Sequence, residues 1–77
     1  MIEKFETRYM LFELIERKHK TGVWEIVNRK DGDRLGIIKW FPHWRRYCLF
    51  LNGITFSVES LRDIAAFIDK VTVERQL

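Results

Sequence analysis

VWEIVNRKDGDRLGIIKW, residues 23–40, sets two apolar, β-branched runs around a Lys-Asp-Gly turn, and the length of that turn decides which side chains share a face. A two-residue turn at Asp31-Gly32 sends Glu25 and Lys39 to opposite sides of the sheet and leaves neither side apolar. A three-residue loop, Lys30-Asp31-Gly32, with Gly32 in the left-handed conformation, places Trp24, Ile26, Gly36, Ile38 and Trp40 on one face. Glu25 and Lys39 then share the other. This second register is the expected one, and burial of the indoles at 24 and 40 tests it, because a one-residue slip exchanges the faces.

Upstream, KHKTG at 18–22 separates LFELIERK from VWEIVNRK and reads as another hairpin turn. Downstream, Pro42 has no N–H to give to a ladder, so the chain should turn at FPHW rather than continue as one strand. A loop over Phe41 to Trp44 sets Trp40 opposite Arg45 and Ile38 opposite Tyr47, so that Tyr47, Leu49 and Leu51 join the Trp24 face. Asn52-Gly53 supplies the next tight turn, and Ile54 to Phe56 is read as a short last strand.

From Ser57 or Ser60 onward the period lengthens from two to 3.6. Leu61, Ile64, Ala65, Ile68 and Val71 form the apolar stripe of an amphipathic helix, with Arg62, Asp63, Asp69 and Lys70 off it. Either serine is an acceptable N-cap, Ser60 with Asp63 three residues on resembling a capping box. The N-terminus is ambiguous: Ile2, Phe5, Tyr9 and Phe12 fall on a helical stripe, while Leu11 to Arg17 reads as the first strand, preceded by an irregular or helical lead-in.

The expected fold class is α+β: an antiparallel β-meander of four to five strands with one C-terminal helix packed on one face. At 77 residues it is a single domain, divided into a lead-in (1–10), the meander (11–56) and the helix (57–75). No apolar run reaches the roughly 18–20 residues needed to cross a bilayer. Charges interrupt the N-terminus too often for a signal-peptide core, so a soluble, cytoplasmic protein with no membrane contact is expected.

The net charge of +3 is unevenly spread. Residues 17–46 carry nine Lys and Arg against Glu25, Asp31 and Asp33, while both flanks are slightly acidic. A basic middle points toward a polyanionic partner. Cys48 is the only cysteine, which excludes an internal disulfide and any thiolate-pair metal site. It reads as a small apolar side chain. His19 and His43 lie in turns without paired-ligand spacing, so no metal is expected. Ser/His/Asp, Cys/His and Gly-rich phosphate-loop signatures are missing, and the chain is read as a non-enzyme without cofactors.

KWFPHWRRY, residues 39–47, concentrates rings and cations. Trp40 and Tyr47 are assigned to the core; Phe41 and Trp44 occupy the loop, and Lys39 and Arg46 project from the helix-free face. Exposed rings beside cations are what binders of single-stranded nucleic acid use, so Lys39, Phe41, Trp44, Arg45 and Arg46 are the candidate nucleic-acid-binding residues. The alternative is that Trp44 folds over the core edge and the cations are merely solvated. Val27, Leu35, Ile37, Cys48 and Phe50 would line the helix-free face as a contiguous apolar surface. The lead-in with Ile2, Phe5 and Tyr9, a second copy or another protein would have to cover it. Val27, Leu35, Ile37 and Phe50 are therefore the candidate interface of a protein-binding or homodimerising protein.

LGIIKWFPHWRRYCLF followed by SLRDIAAFI resembles a group of small proteins of bacteria, phages and prophages with no established activity. Their common run is L-G-x-I-x-W, a proline turn, W-R-x-Y, an aromatic strand and L-x-D-I-x-x-F. Here it falls on Leu35, Gly36, Ile38, Trp40, Pro42, Trp44, Arg45, Tyr47, Leu61, Asp63, Ile64 and Phe67. LNGITFS is shorter than the Pro-containing segment those chains carry before the helix. The resemblance implies the same α+β arrangement and a phage or mobile-element setting.

Overall fold

The computed structural model describes residues 1–51, 53 and 56–76. Five strands form one antiparallel sheet in sequence order: β1 (Lys4–Glu6), β2 (Met10–Arg17), β3 (Gly22–Asn28), β4 (Arg34–Phe41) and β5 (Arg46–Leu51). A single helix, α1 (Val58–Gln76), packs on one face, giving the α+β meander expected from the residue pattern.

Trp24 pairs with Ile38 and Ile26 with Gly36, which is the expected face assignment, and Trp24, Ile26 and Ile38 are fully buried. Trp40 is half-buried on the same side, where the Arg75 guanidinium lies 3.9 Å above its ring. The register is reached by a different route. Asn28 N–H donates to the Asp33 carbonyl (2.9 Å) and Gly32 N–H to the Asn28 carbonyl (2.8 Å), so the loop is Arg29–Gly32, one residue longer than expected. Gly32 does take the left-handed conformation, at φ 78°. A bulge restores the register: Val27 pairs with Arg34 and Ile26 with Gly36, leaving Leu35 as the extra residue.

That bulge corrects the expectation for Leu35. Strict alternation puts it on the helix-free face with Val27 and Ile37; instead it turns inward and joins the buried core. A second bulge leaves Ile15 unpaired between Leu14 and Glu16 and exposed.

The N-terminal lead-in is also corrected: it is neither helical nor irregular throughout, but supplies β1, with Phe5 opposite Phe12. Ile2 and Phe5 pack on the helix side. The Trp24 indole N–H donates to the Ile2 carbonyl (2.8 Å), and Ile2 N–H donates to Glu74 Oε1 (3.1 Å). They do not cover the helix-free face, and Tyr9 is exposed.

The helix starts where Ser57 caps it: the Ser60 N–H donates to Ser57 Oγ at 3.2 Å. Its buried line is Ile64, Phe67 and Val71, flanked by half-buried Ile68. The expected stripe was rotated from this one, since Leu61 is 47% exposed and Ala65 faces outward. Phe67 supplies the missing volume, against Phe12, Phe5 and Trp24 with ring centroids at 4.5, 5.4 and 5.4 Å. The expected turn at Asn52-Gly53 and the short strand at 54–56 rest on residues 52, 54 and 55, outside the described residues.

Candidate nucleic-acid interface

Pro42 ends β4, and the loop that follows is Pro42–Arg45, closed by the Phe41–Arg46 pair. This is later along the chain than the expected loop at Phe41 to Trp44, so Trp40 faces Tyr47 and Ile38 faces Leu49. The difference is an even number of residues, so every side chain keeps its expected side. Trp44 N–H donates to the Phe41 carbonyl (3.1 Å) and Arg45 N–H to the Pro42 carbonyl (3.2 Å), a helical turn that Arg45 ends in the left-handed conformation at φ 52°.

This geometry stands Trp44 on the loop, 65% exposed, with its ring edge-on to Phe41 at 5.1 Å between centroids. Phe41 is the last residue of β4 and half-buried, held between His43 (5.2 Å) and Phe50 (6.1 Å). The Lys39 ammonium lies 4.7 Å from the Phe50 ring centroid, and Arg46 Nε donates to the Trp44 carbonyl at 3.2 Å. Lys39 pairs with Cys48, and Phe41 with Arg46, so all four sit on the helix-free face. The five candidate residues therefore lie within a few residues of one loop, Arg45 at its end.

Two cations escaped the linear reading. Neighbouring strands of a meander run in opposite directions, so the β2–β3 turn and the β4–β5 loop emerge at the same end of the sheet. Lys18 and Lys20 are exposed there, Lys18 reaching Glu16 only loosely at 3.9 Å. Turn parity along the sequence was the signal that could have found them.

Of the alternative interface residues, Val27 and Ile37 are half-buried and Phe50 is exposed on the helix-free face, whereas Leu35 has left it. Cys48 is half-buried there. A separate cleft of about 410 Å³ lies by the helix C-terminus, lined by Met1, Lys20, Trp24, Tyr47, Glu74 and Arg75 among others. Tyr47 is held above the usual tyrosine range, chiefly by burial, against the Gly22 N–H that donates to its oxygen at 3.3 Å.

Among the described residues no His, Cys, Asp or Glu side chains gather in threes for a metal ion, and no helix is long and apolar enough to cross a membrane. The fold and surface define a small α+β domain with an aromatic, basic sheet end. No family model matches the sequence, and no curated protein or solved structure is significantly similar to it.

Proposed function

We propose that this chain is a non-enzymatic binding module whose partner is single-stranded nucleic acid, held at the β4–β5 end of the helix-free face. The supporting observation is Trp44, exposed at the loop tip with its ring edge-on to Phe41, next to Arg45 in the chain and with Arg46 Nε donating to its carbonyl, while Lys39 stands on the same helix-free face as Phe41 and Arg46. A base stacked on such a ring contributes about 1–3 kcal/mol whatever its identity, while cations follow the phosphates. Lys18 and Lys20, exposed on the turn at the same end of the sheet, add positive charge to that end. A bacterial or phage setting belongs to this proposal through the resemblance of the L-G-x-I-x-W and W-R-x-Y segments.

The test is a titration with labelled single- and double-stranded oligonucleotides at 50 and 200 mM salt. Single strands should bind more tightly, and affinity should fall roughly twentyfold between the two salts if about three phosphates are contacted. Trp44→Ala should weaken binding without changing the salt slope, whereas Arg46→Ala should reduce the slope by about 0.7–1. A parent protein that binds neither strand form at low salt removes the proposal.

A further inference from the structure

The cleft of about 410 Å³ by the helix C-terminus is lined by Tyr47, Trp24 and Val71, core residues on the helix side of the sheet, opposite the face that bears Lys39 and Arg46. Its volume falls in the range of small-molecule sites. Tyr47 is only 4% exposed, and its ring is fixed edge-on between Trp24 and Trp40, with centroids at 5.5 and 5.4 Å. The phenol oxygen accepts the Gly22 N–H at 3.3 Å, but among the described residues its own O–H donates to nothing. A buried donor is left without an acceptor where the cleft opens. Burial keeps that phenol protonated well past neutral pH, so it remains a donor. Beside it, stacking 3.9 Å above the Trp40 ring holds the Arg75 guanidinium in the lining. Lys20, exposed on the β2–β3 turn, adds a second cation, and Glu74, whose Oε1 accepts the Ile2 N–H at 3.1 Å, is the one carboxylate.

We infer that this cleft binds a small organic monocarboxylate with an apolar body: one carboxylate oxygen accepts the Tyr47 O–H, the other pairs with Arg75, and the body packs against the Met1 side chain over Trp24 and Val71. An orphaned O–H calls for an acceptor, and a guanidinium beside it calls for an anionic one that can take two donors at once. Two cations against one carboxylate suit a single negative charge, and Glu74 opposes a dianion such as phosphate. The apolar side chains of the lining give the remainder of the ligand a surface that free phosphate could not use. The inference does not rest on nucleic-acid binding, because Arg75 and Tyr47 stand on the opposite side of the sheet from the Phe41–Arg46 pair.

The experiment is a titration of the full chain, followed by the amide and indole N–H resonances in nuclear magnetic resonance, with cyclohexanecarboxylate as the probe. Cyclohexanecarboxamide, of the same shape without the charge, and inorganic phosphate are the comparison probes. The Gly22 amide and the Trp24 indole N–H should shift saturably with the carboxylate, and both comparison probes should bind at least roughly tenfold more weakly. Arg75→Gln and Tyr47→Phe should each weaken carboxylate binding roughly tenfold, as loss of a hydrogen bond to a charged group does. Trp44→Ala should leave it within about twofold, since that ring is remote from the cleft. Should Tyr47→Phe fail to fold, Arg75→Gln, a change at an exposed side chain, decides. No saturable shift below about 10 mM carboxylate, well above the millimolar affinity of a weak site, would overturn the inference. So would an amide or phosphate bound as tightly as the carboxylate, an affinity unchanged by Arg75→Gln, or one abolished by Trp44→Ala.

Discussion

Phe67 on α1 stacks on Phe12 of β2, with centroids 4.5 Å apart and ring planes 27° from parallel, and both rings are fully buried. This pair locks the helix onto the sheet. Phe67→Ala should therefore cost about 3–5 kcal/mol, combining lost transfer energy with the cavity left behind. Leu61→Ala, on the exposed side of the same helix, should stay within about 0.5 kcal/mol of the parent. Urea unfolding of the two variants measures the difference, and equal losses would place the helix face wrongly.

Gly36 should not tolerate a side chain. A Cβ there would lie 3.0 Å from the Phe50 carbonyl oxygen and 3.2 Å from Leu49 Cδ1, and the carbonyl belongs to a paired strand that cannot withdraw. Gly36→Ala is expected to cost about 1–3 kcal/mol in the same unfolding experiment, as overpacking does.

Arg45 behaves oppositely. Its left-handed backbone, φ 52°, costs an L-residue about 1–2 kcal/mol, part of which glycine returns as chain entropy on folding. Arg45→Gly should raise stability by about 0.5–1 kcal/mol while removing a cation from the candidate interface. Thermal unfolding and oligonucleotide titration of this variant should move in opposite directions, separating folding from binding at one position.

Stability should decline at high pH through Tyr47. Burial pushes its phenol above the ordinary 10.0, with Glu74 adding to the rise while the Gly22 N–H and Arg75 oppose it. The unfolded chain releases this proton from about pH 10 upward while the folded chain retains it, so the unfolded state binds fewer protons and stability falls with rising pH. Below that range the contribution is fully present. Urea midpoints from about pH 8 to 11 should show the decline. Tyr47→Phe should lose that component of it, after a cost of about 1 kcal/mol at pH 8 for the lost Gly22 hydrogen bond.

Much of the candidate interface was readable in the sequence because it depends on Pro42 and on parity alone. Proline forbids a continuous strand, and any loop of even length puts Lys39 and Arg46 on one face and Trp40 and Tyr47 on the other. Lys18 and Lys20 were not assigned to it, since the end of the sheet they share with the β4–β5 loop is defined only once the strands are laid side by side.

The residue pattern by itself determined the elements and their sides: alternation is a local property, so Trp24, Ile26 and Ile38 declared a buried face, and Gly32 marked the left-handed end of a turn. Tertiary structure decided what local alternation cannot carry. A bulge turned Leu35 into the core, packing against Phe12 selected Phe67 over Leu61 as the helix's buried side, and Lys4–Glu6 became a strand because β2 offered it an unpaired edge. Each outcome depends on a partner distant along the chain, whose side chains and backbone hydrogen bonds outweigh short-range preference.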